Sequence, residues 1–227
     1  ARMRRYPMFV SLEGRHCLVV GAGQVGLRKI RSLAQCGPSL LTILETRRPD
    51  AALEELSALP GVRLLRREFA DSDLDGVFLA IAATSDPALN RRIALLCRQR
   101  GVLCNVIDAP EQGSFLVPSS LVRGDLTIAV STGGASPALT KRIRKDLQER
   151  FGEEYAQFLT LLGRLRPAVL ALGRSCGENA DLFRALAGSR LLEALRRDDK
   201  PLAQAELTLI LPGELHHLIP ELLDGPA

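Results

Sequence analysis

Tryptophan is absent from the 227 residues, and all aromatic side chains together make up only 4% of them. So few flat faces make a poor stacking platform for nucleic acid, and none is expected as a partner. No apolar run approaches the roughly 18–20 residues needed to cross a bilayer. The basic start, Arg2-Met3-Arg4-Arg5, has no long apolar segment behind it, so neither a transmembrane helix, a membrane partner nor a signal peptide is expected, with Met3 as the native start. Cysteine is sparse as well. Cys17, Cys36, Cys97, Cys104 and Cys176 are odd in number, far apart and without a C-x-x-C pair, which reads as reduced, mostly buried thiols in a cytoplasmic protein. Histidine occurs three times, and His16, His216 and His217 show no metal-ligand spacing, so no metal site is expected.

What remains is ordinary globular composition, 46% hydrophobic and 25% charged, which excludes a disordered or fibrous chain. The length allows one large domain, or a domain of about 150 residues with a smaller partner, and the second is favoured; the charge is also unevenly spread. Residues 1–150 hold 22 Lys and Arg against 15 Asp and Glu, whereas residues 151–227 hold 8 against 11. A basic first part suits an anionic small ligand such as a dinucleotide or a polycarboxylate.

Residues 15–20 end an apolar run at Gly21-Ala22-Gly23-Gln24-Val25-Gly26, after which Leu27, Ile30, Leu33 and Ala34 recur at helical spacing. The pattern is strand, tight turn, helix. Further strands are expected at 40–44, 62–65, 77–82 and 102–107, with helices over 49–59 and 86–100, the latter capped by Asp86 and opened by Pro87. The run at 77–82 has no polar alternation, as befits a strand covered on both faces of a parallel sheet. Beyond residue 110, strands are expected at 115–117 and 126–130, with Arg123-Gly124-Asp125 as the turn. A Ser136-capped helix over 138–150 follows, and then a helical tail broken at Pro167, Gly177, Gly188 and Pro212-Gly213. The fold class is α/β: a Rossmann-like, doubly wound parallel sheet, then a strand-containing segment and a small helical domain.

The G-x-G-x-x-G turn has the context its chemistry needs, following a strand and opening a helix. Gly21 permits the turn, Gly23 lets backbone approach a pyrophosphate, and Gly26 lets the helix pack on the strand. Glu45, 22 residues after Gly23 and at the end of the second strand, is placed to accept from a ribose 2′-hydroxyl, which favours NAD; Arg47 and Arg48 could instead pair with a 2′-phosphate. Ala82 to Asp86 falls at the ligand-binding edge of such a sheet, where Thr84 could border a cofactor or, with Asp86, simply cap the helix. Asn105 and Asp108 flank the exit of the last strand, where a carboxylate could act as general base or serve only the turn.

Six stretches in register now carry a resemblance: residues 6–12, 17–29, 82–90, 105–110, 114–118 and 129–137. Over roughly residues 6–150 the chain resembles the precorrin-2 dehydrogenase module, found alone or as the first part of sirohaem synthases and related to the yeast dehydrogenase/ferrochelatase. The resemblance implies an NAD-binding domain (1–111), a segment used in homodimerisation (112–150) and a helical domain (151–227) closing over a tetrapyrrole cleft. It implies NAD contacts at Gly23, Gln24, Val25, Glu45, Thr46 and Arg47, and makes Asp108 the functional carboxylate with Asn105 beside it. The activity implied is NAD-dependent oxidation of precorrin-2 to sirohydrochlorin, and some members also insert Fe(II). Lys141, Arg142, Arg144 and Lys145 could hold the substrate's carboxylates, or simply form a solvated helix face. Gly26 stands where many members have Ala, a change expected still to permit close packing, and Thr132 stands where some have Ser. The competing class is an NAD-sensing regulatory domain of a potassium-transport system, which has no expected place for the 105–110 and 131–137 segments or the helical tail.

Overall fold

The computed structural model describes residues 5–224, so the expected start at Met3 lies outside the described residues. The chain divides into two compact units, one ending at Val117 and the other beginning at Pro118. Among its described residues the first contains five strands, β1 (His16–Val20), β2 (Leu40–Leu44), β3 (Val62–Leu65), β4 (Leu79–Ala82) and β5 (Leu103–Val106), three α-helices, α1 (Gln24–Gln35), α2 (Ala51–Ser57) and α3 (Pro87–Arg100), and a short 3-10 helix (Asp71–Leu74). All strand pairs are parallel, in the order β3-β2-β1-β4-β5. The order reverses between β1 and β4, and such a switch point opens a crevice at the carboxyl ends of the strands.

The central strands fold this way because both their faces are covered. Leu18, Val20, Ala80 and Ala82 pack with Ile93, Cys97 and Cys104 on one face, while Cys17, Val19, Leu41, Ile43 and Ile81 pack with Ile30, Leu53 and Leu56 on the other. The expected 77–82 strand is therefore a doubly buried one, shortened to Leu79–Ala82. Asp86 accepts from the Ala88 N–H and Pro87 takes the first helical position, so α3 starts where its cap requires. Gly101, with φ 70°, ends it in the left-handed conformation that glycine favours.

Segment 115–117 is a correction, for it forms no strand. The Phe115 carbonyl accepts from Asn105 Nδ2 (3.1 Å), Ser114 N–H donates to the Cys104 carbonyl (2.8 Å), and Phe115 packs against the first unit's core. These residues thus cover the outer edge of β5, which would otherwise present an open ladder. At Gly113 a Cβ would lie 2.8 Å from the Cys104 carbonyl oxygen, so the close approach depends on glycine. The hairpin partner of β7 (Leu126–Val130) is instead β6 (Ser119–Arg123), antiparallel, with Gly124 and Asp125 between them. Its polar residues Ser119, Ser120 and Arg123 hide the strand from a hydrophobicity pattern.

The second unit continues with α4 (Pro137–Arg150), α5 (Glu154–Ala171), α6 (Cys176–Gly188), α7 (Leu191–Arg196), α8 (Lys200–Ile210) and α9 (Ile219–Asp224). Its core joins Phe158, Leu161, Leu165 and Val169 of α5 to Leu186, Leu191, Ala194, Leu207 and Leu222. Pro167 does not break α5 as expected. It sits on the exposed side of the helix while Leu165 and Val169 stay buried, so the hydrogen bond it removes faces water and packing carries the helix through. Gly177 likewise lies within the first turn of α6, behind the Ser175–Glu178 capping box. Cys17, Cys97 and Cys104 are buried free thiols, and Cys36 and Cys176 are exposed ones. Among the described residues no helix is long and apolar enough to cross a membrane.

Candidate functional site

Strand register brings the candidate residues of the first unit to one edge. Leu44, Val20, Ala82 and Val106 are aligned neighbours across β2, β1, β4 and β5. The ladder extends one residue past each: Gly21 N–H donates to Leu44 O (2.8 Å), Ala83 N–H to Val20 O (2.8 Å) and Ile107 N–H to Ala82 O (3.2 Å). Glu45, the Gly21 turn, the Ala83–Thr84 loop and Asp108 therefore leave the sheet on the same side. At one strand spacing of roughly 4.8 Å, Asp108's strand lies about 10 Å from that of the turn.

The three glycines of the turn have distinct duties. Gly21 has φ 94°, and a Cβ there would lie 2.6 Å from the Ala83 carbonyl oxygen. A Cβ at Gly26 would collide with the carbonyl oxygen of Gly21, so the close packing expected of this position depends on glycine. Gly23 is different: the nearest atom to its Cβ position is an Arg47 guanidinium nitrogen at 3.9 Å. Its outer face is open. Gly23 is the N-cap of α1, with no side-chain cap and no acidic residue in the first turn, and Gln24 and Val25 are exposed beside it. An uncapped helix N-terminus behind an open glycine is a cradle for a pyrophosphate, and these residues fit a dinucleotide.

Glu45 is 7% exposed. Its Oε2 accepts from Ala22 N–H (2.8 Å) and an Arg47 guanidinium nitrogen (3.0 Å), and its Oε1 from Arg47 N–H (3.0 Å) and Nε (3.1 Å). The bonds from the Arg47 side chain above all hold this carboxyl down at about 2, against the opposing effect of burial. Thr46, Arg47 and Arg48 are exposed. Because the pKa is depressed, Glu45 stabilises the fold in full above the ordinary carboxylate range and loses that contribution as pH falls toward about 2. Urea unfolding of the wild type and of Glu45→Gln should therefore differ at neutral pH and converge on acidification. Equal stabilities at neutral pH would refute the contribution.

Thr84 is bonded into the start of α3, whose N-cap is Asp86. Its N–H and Oγ1 donate to Asn90 Oδ1 (3.2 and 2.7 Å), its carbonyl accepts from Asn90 Nδ2 (3.0 Å), and its Oγ1 accepts from Asp86 N–H (3.1 Å). Asn90, 3% exposed on α3, is thus the residue that shapes the loop beneath Gly21, and spacing did not single it out; a polar residue at a core-facing helical position was its only signal. Asn105 is buried and spends its amide on Phe115. Asp108 is exposed and makes no hydrogen bond or ion pair among the described residues. Its carboxylate is available to a ligand.

The remaining candidates lie elsewhere. His16 Nε2 bonds Thr42 Oγ1 (2.9 Å) within the sheet, and burial pushes its pKa down. His216 Nε2 meets the Leu211 carbonyl (2.9 Å). Among the described residues no three His, Cys, Asp or Glu side chains cluster so as to hold a metal. Lys141, Arg142, Arg144 and Lys145 belong to α4 in the second unit; Arg144 is half-buried and the others are exposed.

Comparison with known proteins agrees with this division. Residues 8–119 match a family model of NAD(P)-binding domains, and residues 123–150 match the model of the sirohaem biosynthesis protein central region. Siroheme synthase of Enterobacter sp. (strain 638) is 32% identical over 216 residues, covering 95% of this chain and 47% of the relative. Siroheme synthase 2 of Klebsiella pneumoniae subsp. pneumoniae is 33% identical over the same shares. The chain spans about half the length of these relatives. The solved structure of SirC, precorrin-2 dehydrogenase, matches with a TM-score of 0.76 at 29% identity, over 91% of this chain and 98% of its own.

Proposed function

Because the chain belongs to the precorrin-2 dehydrogenase and sirohaem synthase N-terminal module family, we propose that it oxidises precorrin-2 to sirohydrochlorin with NAD as acceptor. The observation that carries this reading is the shared sheet edge, where an open glycine cradle and a carboxylate that bonds no other described residue leave strands two spacings apart. Gly21 to Gly26 hold the dinucleotide, with Gln24 and Val25 at the helix N-terminus and Glu45, Thr46 and Arg47 on the ribose side. Thr84 and Asn105 border it. NAD, when bound, supplies the acceptor for the hydride lost by the substrate. Asp108 takes the accompanying proton on its carboxylate, so that the two electrons and two hydrogens removed from precorrin-2 are accounted for. The competing reading, a potassium-transport regulator, is not favoured: likeness to SirC runs over 91% of the chain, helical unit included.

An anaerobic absorbance assay with precorrin-2 and NAD tests the activity. Appearance of NADH together with sirohydrochlorin is expected, whereas no turnover by a chain that binds NAD would overturn it. Adding Fe(II) afterwards shows whether the same chain inserts iron. The reading places the enzyme in the cytoplasm, where free cysteines such as Cys36 and Cys176 persist.

The segment 112–150 is proposed to pair two copies. The part within the second unit supports this: a two-stranded hairpin is marginal by itself, α4 has no buried residue, and Val122 and Leu139 are 55% and 47% exposed. A closed symmetric dimer is the expected assembly. Sedimentation across micromolar concentrations should show it, and a persistent monomer would defeat the pairing.

A further inference from the structure

Glu45 has no acceptor site to spare. A carboxylate offers about four lone-pair sites, and four N–H groups occupy them: those of Ala22 and Arg47 in the backbone, and two from the Arg47 guanidinium. A ribose hydroxyl can be accepted here only after one donor leaves. The backbone donors are fixed by the Gly21 turn and the chain after β2, but the guanidinium is not. Arg47 is 69% exposed against 7% for Glu45, and its nitrogen lies 3.9 Å from the Cβ position of Gly23, on the open side of the turn.

The geometry points to Arg47 as a place-holder for the dinucleotide. It neutralises the buried carboxylate in the free protein, and binding exchanges its two guanidinium bonds for the 2′-hydroxyl, the released cation turning to the phosphates. The inference rests on the reading of Gly21–Gly26 as the dinucleotide turn. It also makes Arg47 a specificity-determining residue. With it, a 2′-phosphate meets a mobile cation as well as Glu45; without it, the phosphate meets a bare carboxylate and is repelled, while a 2′-hydroxyl binds with nothing to displace.

Calorimetric titration of NAD and NADP suits a chain without tryptophan and reads binding without turnover. Arg47→Met keeps the apolar stem of an exposed side chain but strips the buried Glu45 of its guanidinium partner, so a thermal melt accompanies the titration to establish that the variant is folded. The substitution should widen the Kd ratio of NADP to NAD by at least about tenfold, the loss and gain of one charge-assisted bond each. Glu45→Gln, which still accepts from Ala22, should narrow the ratio by a similar factor. A ratio in Arg47→Met within about twofold of the wild type would overturn the place-holder role. Failure of the wild type to bind either dinucleotide would overturn the turn reading beneath it.

Discussion

Alanine in place of Asp108 is expected to slow precorrin-2 oxidation by about 10²–10⁴-fold, the contribution typical of a general base, while NAD affinity stays unchanged. The asymmetry follows from the surroundings. Asp108 is exposed and bonds no other described residue, so its removal leaves no buried group unsatisfied, and its strand is separated from the glycine turn by β4. Single-turnover rates with precorrin-2, set beside a calorimetric NAD titration, separate the two effects. A normal rate would remove Asp108 from the chemistry, and lost NAD binding would make it a cofactor contact. Should the chain also insert Fe(II), the carboxylate can accept the pyrrole protons that the metal displaces, and both activities then fall together. Loss of iron insertion alone would make Asp108 a chelatase residue.

Gly21→Ala and Gly23→Ala should fail in opposite ways. At Gly21 the new Cβ would meet Ala83 O, Ala83 C and Thr84 N at 2.6–2.8 Å, all backbone, and φ is 94°. Strain of roughly 1–3 kcal/mol and overpacking of roughly 1–3 kcal/mol together should lower Tm by on the order of ten degrees. At Gly23 the backbone is ordinary, φ −66°, and only the flexible Arg47 tip is near. Tm should hardly move, yet dinucleotide binding should be lost because the methyl group fills the cradle. Thermal melts and NAD titration distinguish the pair; a Gly21→Ala chain as stable as wild type, or a Gly23→Ala chain that binds normally, would contradict the assigned duties.

The sheet was legible wherever burial on both faces left an apolar run, uninterrupted in β4 and broken only by Thr42 in β2 and by His16 at the start of β1. The same criterion misled at Phe115–Val117, because an apolar triplet that docks against a sheet edge looks like a strand until its partner, Asn105, is known. Pro167 misled for the converse reason: a local rule was overridden by the core contacts of Leu165 and Val169. At the site, the glycines and Asp108 announced themselves through spacing and strand ends. Arg47 was legible only as an exposed charge near the ribose, since its pairing with Glu45 depends on a turn geometry that no periodicity encodes. Asn90 was hidden similarly, its three-way bonding to Thr84 being a property of the folded loop.

The edge cover on β5 has a consequence for the loop that carries Asp108. One end of that loop is pinned by Ile107 N–H on the Ala82 carbonyl, the other by Ser114 N–H on the Cys104 carbonyl, with Gln112 N–H closing on Ala109 in between. A closed ring of chain this short has given up most of its conformational entropy in folding itself. A ligand that settles against Asp108 has correspondingly little disorder left to remove, and more of its contact energy survives as affinity.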